Sequence, residues 1–95
     1  MVHNDQLLAV FNSAHRVMKA EYILKKCELE VLLIPAPRAL STDCGLAIRY
    51  NSDLNDKVLE ALGSEKFLPA TIYRRVSDTH YEPIWHNKDT EDPID

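Results

Sequence analysis

Apolar residues along this chain fall into two spacings that alternate in a regular order. A short apolar run over residues 6–12 ends at Asn12-Ser13, which are good helix-capping residues, and this predicts a strand followed by a helix. Over residues 14–27 the apolar positions recur at helical spacing between basic residues, which predicts an amphipathic helix. The buried stripe of that helix is predicted to consist of Val17, Ala20, Leu24 and Cys27.

The same reading continues through two more strands, a second helix and a fourth strand. Strands are predicted at residues 30–35, 46–50 and 70–76, and a helix between the last two is expected to be capped by Ser52 or Asp53 and to stop at Gly63. The order β-α-β-β-α-β is the ferredoxin-like arrangement, an α+β fold with an antiparallel sheet and both helices on one face. The other sheet face is expected to be solvated or to pair with a second copy in a homodimer.

Beyond residue 76 the chain becomes polar and acidic, with Tyr81, Ile84 and Trp85 as its apolar residues. We therefore expect a single ferredoxin-like domain over residues 1–76 and an acidic, poorly ordered tail over residues 77–95.

Composition limits what such a domain does. A net charge of −4 and a pI near 5.5 argue against a nucleic-acid partner. No apolar run approaches the roughly 20 residues of a membrane span, and the first residues lack the charged start of a signal peptide, so a cytoplasmic protein is expected. Two glycines allow no phosphate-binding loop, and the histidines show no metal-ligand spacing, so neither cofactor nor metal is expected.

One cysteine is placed where another molecule can reach it. Cys44 lies between the prolines that end one strand and the glycine that opens the next, in a loop expected at the surface. In the predicted topology the end of the first strand lies beside the start of the third, which brings Ser13 and His15 to the edge that carries Cys44. A helix N-terminus, His15 and Arg38 would favour a thiolate there, whereas the neighbouring Asp43 opposes it, and the residues alone do not decide between them.

Each of these residues also has a plainer interpretation. Ser13 is most economically a helix cap, His15 a surface histidine, Arg38 a solvated loop charge and Cys44 a small packed residue. Cys27 lies at the far end of the first helix, about 20 Å from Cys44 at 1.5 Å per residue, so a disulfide between them is not expected. Cys27 is expected to be packed and therefore less reactive than Cys44.

Four stretches of the chain resemble a family of small bacterial proteins described as selenium/sulfur carrier-like, a domain of unknown function. They are Phe11-Asn12-Ser13-Ala14-His15, Ala20-Glu21 with Leu24-Lys25, Leu33-Ile34-Pro35-Ala36-Pro37-Arg38 and Ser41-Thr42-Asp43-Cys44-Gly45-Leu46-Ala47-Ile48-Arg49. The resemblance covers residues 7–75 and implies that Cys44 is the carrier cysteine, with Ser13, His15 and Arg38 as its companions. The family usually has a glycine before the second strand, and this chain has none in Cys27-Glu28-Leu29-Glu30.

Three classes of function are compatible with these features. The leading hypothesis is a carrier of sulfur or selenium on Cys44, as a persulfide or selenosulfide, loaded by a donor such as a cysteine desulfurase and unloaded by an acceptor protein. The second is a non-catalytic interaction or regulatory module that presents a helix edge or the Tyr81 to Trp85 segment to a partner. A thiol redox enzyme is disfavoured because no resolving cysteine lies within reach.

Overall fold

The computed structural model describes residues 5–40, 42 and 44–88 of the chain. The strands and helices are β1 (Gln6–Val10), α1 (Ala14–Lys26), β2 (Leu32–Pro35), β3 (Leu46–Asn51), α2 (Asn55–Ser64), β4 (Thr71–Ser77) and β5 (His80–His86), with a short 3₁₀ turn (Ser52–Leu54) before α2. No helix within the described residues is long and apolar enough to cross a membrane.

The strands form one antiparallel sheet in the order β2-β3-β1-β4-β5. The predicted α+β class, with two helices and an antiparallel sheet, is confirmed. The ferredoxin-like order is wrong in strand number, because the part of the chain that the structure describes forms a sheet of five strands and not four.

The additional strand comes from the segment expected to be a tail. β5 pairs with β4 from Thr71 opposite His86 to Ser77 opposite His80. An outer strand contacts only one neighbour, so it tolerates polar residues and the proline at position 83, and its composition resembles that of a tail. Trp85 nevertheless packs against the main core. Residues 77–86 are therefore part of the sheet, whereas residues 89–95 lie outside the described residues.

The main core lies between the sheet and the two helices. From α1 it takes the buried residues Val17, Ala20, Ile23 and Leu24, and from α2 it takes Val58 and Leu62. From the strands it takes Leu7, Ala9, Ile48, Tyr50 and Ile72. These positions recur at helical spacing in the helices and at every second residue in the strands, so both periodicities in the sequence point to one interface.

The middle of the opposite sheet face is covered by the chain itself. Leu8, Val10 and Ala47 are buried there together with Leu40, which comes from the loop between β2 and β3. The expectation that this face is either solvated or used for dimerisation is therefore wrong for its centre. The burial of Leu40 holds that loop against the sheet, because each Å² of apolar surface removed from water contributes about 25 cal/mol of favourable free energy.

Both helices end in the same way, and neither uses a glycine. Glu28 follows α1 with φ 62°, and Lys66 follows α2 with φ 64°. After α2, the N–H of Phe67 donates to Leu62 O at 2.9 Å and the N–H of Lys66 donates to Gly63 O at 3.2 Å. This is the Schellman pattern, in which a left-handed residue closes the helix. The prediction that α2 stops at Gly63 is wrong, since the helix includes Ser64.

The start of α2 also differs from the expectation of a Ser52 or Asp53 cap. The chain enters the helix through the 3₁₀ turn, Leu54 occupies the N-cap position, and no side-chain hydrogen bond caps the helix. In a 3₁₀ turn that precedes an α-helix, backbone N–H and C=O groups hydrogen-bond to one another, so a capping side chain is not needed for these groups.

Candidate functional site

The Cys44 loop is closed by two backbone hydrogen bonds. The N–H of Ala36 donates to Gly45 O at 2.9 Å, which continues the pairing of β2 with β3 one step beyond the strands. The N–H of Leu40 donates to Pro37 O at 3.0 Å and makes a tight turn that contains Arg38. The loop therefore starts from a fixed base, and its turn places Leu40 against the sheet face opposite the helices.

Gly45 shapes the backbone directly after the cysteine. Its φ is 72°, in the left-handed region that glycine adopts without steric cost, and a Cβ added there would meet nothing within 4 Å. The N–H of Gly45 donates to Thr42 Oγ1 at 3.0 Å. A threonine hydroxyl that binds a nearby backbone N–H stabilises a turn, so both residues hold the chain in its turn around Cys44.

The thiol of Cys44 lies at the junction of β1 and β3. Sγ is 3.6 Å from Phe11 O and 3.3 Å from Leu46 O, and the residue is half-buried against the main core. Two carbonyl oxygens accept a hydrogen bond from a thiol, whereas a thiolate has no proton to donate to them. For Cys44 to act as a nucleophile, Sγ must therefore turn away from these oxygens toward solvent.

Strand pairing explains why Phe11 and Cys44 meet. Val10, the last residue of β1, is opposite Ala47 in β3. Continuing both strands one step beyond this pair brings Phe11 opposite Leu46, two residues after Cys44. The end of β1 therefore lies beside the cysteine loop, as expected from the predicted topology.

Ser13 is the N-cap of α1. Its Oγ accepts a hydrogen bond from the N–H of Arg16 at 3.2 Å, and its backbone is extended as at a helix start. The guanidinium of Arg16 donates to Lys66 O at 3.3 Å and lies 4.8 Å from the ring centre of Phe67. The contacts of Arg16 join the start of α1 to the end of α2. Because Ser13 caps the helix at Arg16, Ser13 has a structural role beside the end of β1.

His15 and Arg38 are both exposed. His15 lines a shallow pocket with Met18, Lys19 and Tyr22 on α1, and Arg38 lies in the tight turn of the loop. Among the described residues, no hydrogen bond or ion pair joins either of them to Cys44. Their predicted roles beside the thiol stay predictions. Ser41 and Asp43, including the predicted opposition of Asp43 to a thiolate, lie outside the described residues.

Cys27 is exposed, so the expectation that it is packed is wrong. It occupies the C-cap position of α1, where the helical geometry has already ended at Lys26. The buried stripe of α1 therefore does not continue to residue 27. Neither cysteine is in a disulfide, and Cys27 lines a pocket at the other end of α1 from Ser13.

The residues that hold the cysteine were missed in the sequence because they act through backbone atoms or distant packing. The carbonyl of Phe11 carries no side-chain signal, and Leu40 looks like an ordinary loop residue. The spacing of Thr42 and Gly45 was a usable sign of a side-chain-supported turn. No group of three or more histidine, cysteine or acidic residues within the described part of the chain is arranged to hold a metal ion.

Comparison with known proteins supports the resemblance seen in the motifs. Residues 6–74 match the model of the family described as "Putative Se/S carrier protein-like". This stretch includes Cys44, Ser13, His15 and Arg38 and ends within β4. No curated protein matches the chain, and no solved structure matches it either.

Proposed function

The chain belongs to the Se/S carrier-like family, and from this membership and the geometry of the cysteine loop we propose that it carries sulfur or selenium on Cys44. The observation that best supports this proposal is the position of the Cys44 thiol, which is half-buried. Its loop is held at the base by backbone hydrogen bonds and makes a turn at Gly45. A carrier needs a thiol that is shielded at rest and accessible to a partner, and a half-buried side chain at a strand end suits both states.

Loading is a thiol exchange that is balanced without an oxidant. The Cys44 thiolate attacks the terminal sulfur of a persulfide on the donor enzyme, one sulfur–sulfur bond forms, and the bond within the donor persulfide breaks. The donor cysteine leaves as a thiolate and takes the proton released by Cys44. Selenium follows the same route from a donor that carries a terminal selenium atom.

Unloading repeats the exchange with the acceptor as the nucleophile. A thiolate of the acceptor protein attacks the terminal atom, and Cys44 leaves as the thiolate and takes up the proton released by the acceptor thiol. On return to the resting position its protonated thiol again donates to the carbonyl oxygen of Phe11 or Leu46. This return favours release, because the empty thiol regains a hydrogen bond that an outward-turned, loaded side chain does not make.

In this proposal Arg38, the basic residue of the cysteine loop, assists the exchange. It is exposed in the turn closed by Pro37 and Leu40. A guanidinium donates several hydrogen bonds in a planar arrangement and holds anions well, so in this proposal Arg38 stabilises the anionic persulfide or a carboxylate of the donor. His15 is the second candidate for this task. A reducing compartment such as the cytoplasm would keep the unloaded thiol reduced.

The test is transfer to Cys44 in a chain that lacks the other cysteine. The Cys27→Ser variant is incubated with a cysteine desulfurase and cysteine, or with a selenocysteine lyase and selenocysteine, and its intact mass is recorded before and after dithiothreitol. We expect an adduct of one sulfur or selenium atom that dithiothreitol removes. The exposed Cys27 makes this background necessary, since wild-type protein can acquire an adduct at the wrong thiol.

The matched control is Cys44→Ser with Cys27 intact. Any adduct on that protein measures adventitious loading at an exposed thiol. An adduct found on Cys27 alone, with none on Cys44 from any donor, contradicts the proposal. Arg38→Ala should slow loading without abolishing it, because the cation assists a reaction that the thiolate performs.

A further inference from the structure

The outward side of α1 exposes large apolar side chains. Met18 is 54% exposed and Tyr22 is 58% exposed, although the inner side of the same helix is fully packed. His15, Met18, Lys19 and Tyr22 line a shallow pocket on this side. Exposed apolar residues that stand together on one helix face, and not singly, are typical of interaction surfaces.

A second pocket continues the first along the helix. It is lined by Lys19, Tyr22, Ile23, Lys26, Cys27 and Glu65, so it shares Lys19 and Tyr22 with the first. We call the combined surface the α1 groove. It extends from His15 to Cys27, which at 1.5 Å per residue is about 18 Å of helix. A groove of this length accommodates about three turns of another helix.

The α1 groove is basic in an acidic protein. Lys19 and Lys26 line the groove, against one acidic lining residue, Glu65. The whole of α1 has four basic residues, Arg16, Lys19, Lys25 and Lys26, against the single acidic residue Glu21, whereas the whole chain has a net charge of −4. The helix therefore carries a net positive charge within an acidic chain. Local fields of this kind steer partners of opposite charge toward one surface.

Two of these lysines remain available to a partner. Lys25 pairs with Glu21 at 3.3 Å. Lys19 Nζ and Lys26 Nζ instead lie 5.6 and 5.7 Å from the ring centre of Tyr22. Among the residues that the structure describes, neither ammonium is within ion-pair distance of a carboxylate. The ring holds both cations beside the apolar floor of the groove.

We propose that the α1 groove binds an acidic amphipathic helix of a partner protein. The apolar face of that helix would cover Met18 and Tyr22, and its carboxylates would pair with Lys19 and Lys26. Charge complementarity selects this occupant, and docking of an amphipathic helix in a groove is a common mode of recognition. Insertion into a membrane is disfavoured because the larger apolar stripe of α1 is buried in the core, which leaves Met18 and Tyr22 as the exposed apolar residues of the groove.

This binding needs no reaction at the loop thiol, so it is tested apart from sulfur transfer. The probe is a synthetic helical peptide of three to four turns, with leucines on one face and glutamates on the other. Two control peptides replace either the leucines by serine or the glutamates by lysine. Each is titrated into the full chain at physiological salt, and binding is followed by NMR of the Met18 methyl and the Tyr22 ring.

We expect the acidic amphipathic peptide to bind and both control peptides to bind at least tenfold more weakly. Reversal of both lysines, Lys19→Glu with Lys26→Glu, should abolish binding, whereas Lys57→Glu on α2 and Cys44→Ser should leave it unchanged. Lys57 is exposed and matches the charge change at a site outside the groove.

Three results would overturn the proposal. One is equal binding by the leucine-free peptide, which would mean that charge alone accounts for the binding and that Met18 and Tyr22 contribute nothing. Another is a set of shifted signals that excludes Met18 and Tyr22. The third is a large gain in peptide affinity when the chain is shortened to end at Lys88, because its own acidic residues beyond that point would then be the occupant.

Discussion

Cys44 donates its thiol toward the main-chain oxygen of Phe11, at an Sγ to O distance of 3.6 Å, and this contact joins the cysteine loop to the end of β1. The partner residues are separated by 33 positions in the sequence, so the contact exists only when β1 and β3 are paired. The resting state of the thiol therefore depends on the folded sheet, and its reactivity is expected to differ between the folded and unfolded chain.

The two thiols should react in the reverse of the order that the sequence suggested. Cys27 is exposed, whereas Cys44 is half-buried and hydrogen-bonded, so we expect Cys27 to react roughly tenfold faster with a thiol reagent in the folded protein, as loss of one hydrogen bond implies. The measurement compares Cys27→Ser with Cys44→Ser, which each keep one thiol. In urea the two rates should become similar. Faster reaction of Cys44 in the folded protein would show that its loop activates the thiol.

The two glycines should respond oppositely to alanine. At Gly45 the φ of 72° is unfavourable for alanine, so Gly45→Ala should lower the free energy of unfolding by about 1 kcal/mol. Gly63 lies within α2 and its added Cβ would be 3.7 Å from Leu68 Cδ2, an ordinary contact, so Gly63→Ala should raise stability by about 0.5–1 kcal/mol. Urea unfolding measures both. Equal effects would mean that backbone conformation is not what distinguishes the two positions.

Glycine at the end of α1 should stabilise the protein. Glu28 adopts φ 62°, a conformation that costs a residue with a Cβ about 1–2 kcal/mol. Glycine avoids this cost, although part of the gain is lost because glycine has more conformational freedom in the unfolded chain. We expect Glu28→Gly to raise the free energy of unfolding by about 0.5–1 kcal/mol. Glu30→Gly is the matched control, because that exposed glutamate has no positive φ. A gain of the same size at Glu30 would assign the effect to loss of charge.

Leu40 should be more important for stability than its loop position suggests. It is 8% exposed and packs with Leu8, Val10 and Ala47, so Leu40→Ala leaves a cavity and should cost about 2 kcal/mol, near the lower end for buried leucines. Leu32→Ala, at a position that is 45% exposed, should cost about 1 kcal/mol or less. Thermal and urea unfolding compare the two variants. In a Cys27→Ser background, Leu40→Ala should also speed the reaction of Cys44.

Tyr50 should make the fold sensitive to alkali. Burial raises the pKa of Tyr50 above its ordinary value of about 10, and its hydroxyl donates to Asn55 Oδ1 at 2.8 Å. Because the folded pKa is the higher one, the stability that Tyr50 contributes is complete below pH about 10 and is lost as the pH rises toward the folded pKa. Tyr50→Phe should therefore flatten the alkaline fall in stability.

Tyr22→Phe is the control for that measurement, since Tyr22 is 58% exposed and should leave the alkaline limb unchanged. Unfolding by urea at a series of pH values above neutrality gives both curves. An alkaline limb that is the same in Tyr50→Phe and wild type would assign the loss of stability to other groups.

Periodicity along the chain was sufficient to predict most of the fold. The stripe of Val17, Ala20 and Leu24 predicted α1, and the alternation of strands and helices predicted the α+β class and the neighbouring positions of β1 and β3. These features depend on the spacing of apolar residues and on which faces of the helices and strands must be buried. The amino-acid sequence alone determines both. The motif around Cys44 likewise led to the family by sequence alone.

Tertiary packing decided what local spacing leaves open. The polar strand β5 has no apolar pattern that marks it as a strand, and it forms because its backbone hydrogen-bonds to the edge of β4. The helix end after Lys26 decided that Cys27 faces solvent, and the sheet decided that Leu40 is buried and that Phe11 holds Cys44. In each case the deciding partner is distant in sequence or is a backbone atom, and residue identity does not specify such contacts until the chain has folded.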